Sequence, residues 1–325
     1  ELLKFRLCEK ASYSKILIDK IEMEKPVQDL LTKYGLVETP IVVVGKTTPI
    51  AIVILKNILK STYGMFNDLF WSRLYIAKKR PSSEIVFVDS FMFSHSVDAN
   101  GNFTDRYYTG YEENLSKSEI EKLWFAPTLA NIKTLGEYRR VFSNMSKCNS
   151  NLLIQESWLS AIDYLTSIKL SLSIPRKVCR LSHDLGHDLG QLVINESRLQ
   201  MGSFSLVKAI NKYRFIRRLS LADIKISGAV DWNENQVIDR ALNLGLRAFY
   251  PTVHVRGYQC FMVPDYYACL EPMEFEKTLG TLPHSYHVFG PAAPAARIRV
   301  REFMEVRLAP AFRFSYLYDI QRKRS

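Results

Sequence analysis

Two short runs constrain the fold more than any other feature of the chain: Glu84-Ile-Val-Phe-Val-Asp89 and Asp223-Ile-Lys-Ile-Ser-Gly-Ala-Val-Asp231. Each is an apolar stretch that ends on an acidic residue and passes into a polar segment. A strand that is apolar on both sides has no face to give to water, so it belongs in a parallel sheet covered by helices above and below. Pro40-Ile-Val-Val-Val-Gly45 is a third run of this kind. It leads into an expected helix over 49–59, with Pro49 suited to the first turn.

Helices are expected on either side of these strands. Ile16, Leu17, Ile21, Met23, Val27, Leu30 and Leu31 recur at roughly helical spacing before Gly35, which predicts one or two helices there. The stretch from Ser116 to Leu221 reads as mostly helical, with candidates at 116–124, 132–142, 151–167 and 203–218. A further helix is expected over 234–244, closed by Gly245 as a C-terminal cap. Short strands are expected at 247–250, 255–261, 267–270 and 286–289, and a helix over 272–279 that ends at Gly280. Gly290-Pro-Ala-Ala-Pro-Ala-Ala296 reads as a linker, followed by a basic helix and an aromatic tail.

Composition narrows the partners. The chain has 44 basic against 33 acidic residues, a formal charge of +11, with clusters at 213–218, 297–301 and 322–324. Such a surface favours anionic partners: activated or acidic substrates, phospholipid headgroups or nucleic acid. Nucleic acid is the least favoured, because no binding motif accompanies the charge. Five cysteines without a CxxC pair suggest neither a disulfide framework nor a zinc ribbon. No charged-then-apolar leader and no apolar run of about 18 residues appears, so the expected location is cytoplasmic, with association at the inner face of the membrane left open.

Three motifs compete for the chemistry. Val44-Gly-Lys-Thr-Thr48 lies between strand and helix like a phosphate loop, but Ile41 stands where the first glycine of that loop is required, so it reads as a plain turn. Leu181-Ser-His-Asp-Leu-Gly-His-Asp-Leu-Gly190 places His183 and His187 at the i, i+4 spacing that can share a metal, with Asp184 between them. Its Leu-Ser-His-Asp-Leu-Gly-His segment resembles the central motif of HD-domain metal-dependent phosphohydrolases. The competing reading is a loop or helix start, because Gly186 and Gly190 each weaken a helix by roughly 1 kcal/mol relative to Ala. The third motif is Gly228-Ala-Val-Asp-Trp-Asn-Glu-Asn-Gln236, where a strand runs out into Asp231 and crowds Glu234, Asn235 and Gln236 into the next turn. Carboxyl ends of strands line the ligand crevice of open α/β sheets. A carboxylate beside Trp232 suits acid–base work, while helix capping and dipole complementation are the competing uses.

The segments Val230-Asp-Trp-Asn-Glu-Asn-Gln-Val-Ile-Asp-Arg240, Val255-Arg-Gly-Tyr-Gln-Cys260, Ala309-Pro-Ala-Phe-Arg-Phe314 and Phe87-Val-Asp-Ser-Phe-Met-Phe-Ser-His95 resemble the amino-terminal half of bacterial surface-carbohydrate biosynthesis proteins, a glycosyltransferase-like group of capsule and O-antigen assembly. The resemblance implies a Rossmann-like parallel sheet with flanking helices, the GT-B-type amino-terminal lobe. It implies a helical segment over 1–36, the α/β domain over 37–290 with a helical insertion around 116–221, and over 291–325 a linker and C-terminal helix or tail, the start of a missing or reduced second lobe. It implies transfer of a sugar from a nucleotide-activated donor to a glycan or lipid-linked acceptor, with no other cofactor and no metal, and a second lobe or partner to bind the donor. Carried onto this chain, Glu234 and Asp231 are the expected catalytic carboxylates. Asp89, His95, Asn235, Gln236, Arg256 and Gln259 are the expected substrate contacts, with Phe91, Phe93, Tyr107 and Tyr108 the aromatics nearest the crevice. The alternative is a phosphohydrolase with His183, Asp184 and His187 as metal ligands.

Overall fold

The computed structural model describes residues 16–18, 28, 32, 41–43, 49–111, 115–181, 187–261 and 270–314. In chain order the elements are β1 (Ile16–Ile18), β2 (Ile41–Val43), α1 (Ile50–Tyr75), β3 (Ile85–Met92), α2 (Lys117–Lys122), β4 (Leu123–Leu129), α3 (Leu135–Ser146), α4 (Gln155–Trp158), α5 (Ala161–Leu181), α6 (His187–Gln200), α7 (Phe204–Leu221), β5 (Ile226–Trp232), α8 (Val237–Phe249), β6 (His254–Gln259), α9 (Glu274–Thr278), β7 (Ser285–Val288), α10 (Ile298–Arg301) and β8 (Glu305–Leu308). No helix among the described residues is long and apolar enough to cross a membrane.

The chain forms two compact units, one of residues 1–63 and 165–207 and one of residues 64–164 and 208–325. In the first, β1 and β2 pair in parallel. The start of α1 is tied to the segment after α6, where Asn57 Nδ2 donates to the carbonyls of Leu199 and Met201 and Ser61 Oγ to that of Gly202. Helix α1 buries small and polar residues (Ser61, Asn67, Asp68, Ser72) and leaves Ile52, Leu55, Leu59, Phe66, Phe70 and Leu74 exposed.

The second unit is an α/β layer around six parallel strands in the order β4-β3-β5-β6-β7-β8. Each strand shows alternate residues to opposite faces. Phe87, Trp124, Ala229 and Val255 face one side, where Phe215, Ile216 and Leu219 of α7 and Leu242 and Leu246 of α8 cover them. Val88, Phe125, Trp232 and Tyr258 face the other, against Tyr107, Tyr108 and the apolar side of α3, Tyr138, Val141 and Phe142. The sheet is thus buried on both sides in its central strands, as the two apolar runs require. A third cluster, Leu282, Tyr286, Val288, Val300 and Met304, closes the β7 end.

Several sequence expectations are corrected. The expected helix over 116–124 stops at Lys122, and Leu123–Leu129 is a strand. Pro127 hid it, yet β4 lies at the sheet edge, where a proline's missing N–H leaves no ladder bond broken. The expected insertion over 116–221 is narrower: residues 123–164 and 208–221 belong to the sheet unit, and the part that leaves it is 165–207. The tail expected to begin a second lobe supplies β8, which pairs with β7 as the sixth strand. Of Arg247–Tyr250, expected as a strand, the first three residues complete α8 and Tyr250 caps it, and Gly245 lies inside that helix as a close contact, since a Cβ there would stand 3.3 Å from Ile216 Cβ of α7. Ile16–Ile18, expected in a helix, is a strand. The expected strand at 267–270 falls mostly outside the described residues.

Gly257 on β6 faces Pro283, whose ring Cγ would lie 2.5 Å from an added Cβ, with Tyr286 at 3.1 Å. Gly257→Ala therefore overpacks the layer beside Asp231, its partner on β5. The expected loss is about 1–3 kcal/mol of unfolding free energy, to be read from the urea midpoint at constant m-value.

Candidate functional site

The first strand of the sheet unit in sequence, β3, is flanked by the second and the third, β4 and β5. The winding of the chain reverses between β3 and β5, and in open α/β sheets ligands bind outside the carboxyl ends of strands at such a reversal. Asp89 on β3 and Asp231 on β5 lie at this point on the same face of the sheet, joined by Asp239 from the first turn of α8. The carboxylate oxygens of the three lie within 4.8 Å of one another, and all three side chains are buried.

A lysine offsets this concentration of negative charge. Lys212 of α7 is fully buried, and its Nζ lies 2.7 Å from Asp89 Oδ1 and donates also to the Ala126 carbonyl. Asp231 Oδ2 accepts from the amides of Asn233 and Asn243, each at 2.8 Å. Asp239 Oδ2 accepts from the backbone N–H groups of Glu234 and Gln236, each at 2.9 Å, which satisfies the open amides at the start of α8. Oδ1 of Asp231 and Oδ1 of Asp239 have no hydrogen-bond partner among the described residues. Burial, followed by the neighbouring Asp89 charge, pushes Asp231 up to about 7 against the two amide donors. Burial and then Asp231 push Asp239 well up, and burial raises Asp89 against the pull of Lys212. The three carboxylates have the spacing to hold a divalent cation. Lys212 already sets one positive charge against Asp89, and burial favours proton retention on the other two.

The turn after β5 is fixed from several directions. Asn235 adopts a left-handed backbone, φ 53°, which asparagine tolerates better than most residues. Its N–H reaches Asn233 Oδ1, and its amide donates to the Glu271 carbonyl and to Glu276. The Glu234 side chain projects from this turn half-buried. Trp232 Nε1 donates to its Oε1 at 2.9 Å and Gln236 Nε2 to its Oε2 at 2.6 Å. The buried Trp232 ring packs against Tyr107 at 4.1 Å between centroids. Arg313 stands over both rings at 5.5 and 5.9 Å, and Arg106 over Tyr107 and Phe93 at 5.3 and 5.1 Å. Exposed His95 stacks on Phe93 at 5.8 Å. The strand tips thus carry an aromatic shelf of Phe93, Tyr107 and Trp232 with two guanidinium groups over it and one carboxylate at its end.

The expected site residues separate accordingly. Glu234, Gln236 and His95 lie at the shelf, with Phe93 and Tyr107. Asp89 and Asp231 lie beneath it in the buried carboxylate set. Asn235 is buried and braces the turn. Gln259 is buried, and its Oε1 accepts from Ala295 N. Arg256 is exposed on the sheet face away from the carboxylates, beside a cavity. His183 and Asp184 fall outside the described residues, and His187 begins α6. Lys212, Asp239, Asn243, Arg106 and Arg313 escaped the sequence reading. Lys212 had a signal, because it shares one side of α7 with Lys208, Phe215, Ile216 and Leu219. Asp239 had another, as the third residue of its helix. The two arginines come from loops and had none.

No protein-family model, no curated protein and no solved structure matches the chain.

The carboxylate set fixes a pH dependence. Asp231 ionises at about 7 in the folded protein and near 3.9 in an unfolded chain. The folded state therefore holds the extra proton between those values, and this contribution to stability, full below about pH 4, is lost as pH rises to about 7. The urea midpoint is expected to fall from pH 5 to pH 8. Asp231→Asn, which keeps the shape and removes the ionisation, should flatten that slope; an unchanged slope would mean that Asp231 keeps an ordinary carboxylate pKa.

Proposed function

We propose that the chain is a glycosyltransferase-like protein of the GT-B amino-terminal type, transferring a sugar from a nucleotide-activated donor to a glycan acceptor, free or lipid-linked. The observation that carries this reading is Glu234. It is the acidic side chain of the β3/β5 reversal that stays half-exposed while Asp89, Asp231 and Asp239 beside it are buried, and Trp232 and Gln236 hold it in one orientation. A base held in place ahead of the reaction does not have to be ordered during it.

In the proposed step Glu234 takes the proton of an acceptor hydroxyl as that oxygen bonds to the anomeric carbon of the donor. The bond from the anomeric carbon to the donor's phosphate oxygen breaks, and the nucleoside diphosphate leaves with the electron pair. Arg106 and Arg313 offer guanidinium groups to its phosphates, and the buried rings of Tyr107 and Trp232 form the floor on which Arg313 rests. Asp239 and Asn235 act through the turn that they brace and are positioning residues. Asp89 and Asp231 support β3 and β5 from below.

The test is transfer by the full chain across a panel of nucleotide-sugars, followed as nucleoside diphosphate release that depends on acceptor. Glu234→Gln is expected to lower kcat at least about 100-fold, the usual worth of a positioned base, with unchanged unfolding temperature. Arg106→Ala should chiefly raise the donor KM. A Glu234→Gln protein with full turnover would remove this residue from the reaction, and an absence of turnover and binding across the panel would remove the reaction class.

A further inference from the structure

On the sheet face away from the buried carboxylates, the second unit holds a cavity of about 270 Å³, near the lower end of ordinary small-ligand pockets. Its floor is Val88, Phe125 and Val230, from three neighbouring strands, and its walls include Tyr108, Tyr258 and Phe312. Tyr108 and Tyr258 have their hydroxyls engaged elsewhere. Tyr108 OH donates to the Asp89 carbonyl at 3.1 Å, and Tyr258 OH donates to the Pro310 carbonyl at 2.5 Å and accepts from Phe312 N. What faces the space is mainly apolar, and the nitrogen-bearing side chains of its lining are Arg256 and His287.

These two lie together at one side. Arg256 of β6 is in register with Val230, and His287 of β7 with Tyr258 and with Arg307 of β8. Arg307 is exposed and paired to Glu305 at 2.5 Å, whereas Arg256 has no ion-pair partner among the described residues. Burial, together with Arg256 and Arg307, lowers the His287 pKa, a sign that the rim carries excess positive potential. An exposed guanidinium at the rim of an apolar cavity can reach water and can also meet an anionic group carried by an apolar occupant. A nucleotide base would find few hydrogen-bonding groups against the apolar floor, and a neutral hydrophobe would make no use of Arg256 and His287.

We propose that this cavity binds a single-chain amphiphile, its hydrocarbon chain against Val88, Phe125, Val230 and the two tyrosine rings and its anionic head, a carboxylate or a phosphate, on Arg256 and His287. The inference stands on the cavity and its rim and is independent of the transfer reading. The two places are separated by one aromatic layer, since Tyr108 and Tyr258 also pack on Trp232 at 6.1 and 5.6 Å.

The test is titration calorimetry of the full chain with dodecyl phosphate, laurate and dodecanol. At least one of the two anions is expected to bind saturably at one site, at least about tenfold more tightly than the alcohol, the worth of a charge-assisted hydrogen bond. The tighter of the two identifies the head group. Arg256→Gln, a change at an exposed position, should bring the anion's affinity down to that of the alcohol, and Val230→Trp should fill the floor and abolish binding of all three. If Val230→Trp fails to fold, Arg256→Gln carries the test alone. No saturable binding by either anion, equal affinity for anion and alcohol, or unchanged affinity in Arg256→Gln would each overturn the proposal.

Discussion

Three buried carboxylates facing one buried lysine constrain the second unit more than any other interaction. The effective penalty for taking a charge out of water is several kcal/mol per ion, and removal of one partner from a buried pair strands the other. Lys212 therefore has to meet Asp89, which sets the depth and rotation of α7 against β3 and β4. Asp231 and Asp239 have no such ion pair, so burial raises their pKa values, and they lean on side-chain amides and backbone N–H groups instead. Their demands place α8, because Asn243 reaches Asp231 from its second turn while Asp239 ties its first turn to the backbone of 234 and 236. The exposed turn inherits its geometry from a buried polar network beneath it.

The two faces of the sheet divide the chemistry. Polar and ionisable groups gather on the α7 and α8 side of β3 and β5, and the opposite side is aromatic. Trp232, the last residue of β5, connects them: its ring belongs to the aromatic face while its indole N–H holds Glu234 at the strand tip. An aromatic residue there serves both needs, since only a side chain with a large apolar body and one polar atom can be fully buried and still direct a carboxylate at the rim. The basic charge is distributed with similar economy. Arg214 and Arg218 pair with Asp163, and Arg297 and Arg299 with Glu271. Two clusters that the sequence offers as anion-seeking surface are thus partly committed to internal ion pairs, whereas Arg106 and Arg313 stand over aromatic rings at the strand tips and Arg256 borders the cavity.

What could be read from the residues depended on whether the cause was local. β3 is legible because its apolar run is unbroken and nearly all of it is buried, and β5 because a mostly apolar run ends on an acid, with the polar tip after Asp231 following from the same strand. β4 was not, because Leu-Trp-Phe-Ala-Pro-Thr-Leu is an edge strand whose proline is tolerated for a topological reason that no window of sequence contains. β8 was not, because Glu305-Val-Arg-Leu308 is exposed on most of its length and its identity comes from pairing with β7. Gly245 reads as a stop when only its own helix is considered, and as a contact once α7 is beside it.

The same distinction separates the two halves of the candidate site. Glu234, Asp231 and Asp89 stand at strand ends, and an apolar run that terminates in an acid announces itself. Arg106 and Arg313 lie more than two hundred residues apart in sequence and meet only because the loop after β3 and the segment after β8 both fold over Tyr107. Arg256 carried a signal that could be read two ways: a cation between Val255 and Gly257 fits an edge strand turned to water or a central strand that needs an anion. The sheet order resolves it, because β6 lies between β5 and β7. A charged side chain at that position has no open strand edge beside it, so it reaches water across the sheet face past an apolar floor, and its chemistry follows from where the strand is placed rather than from the residues on either side of it.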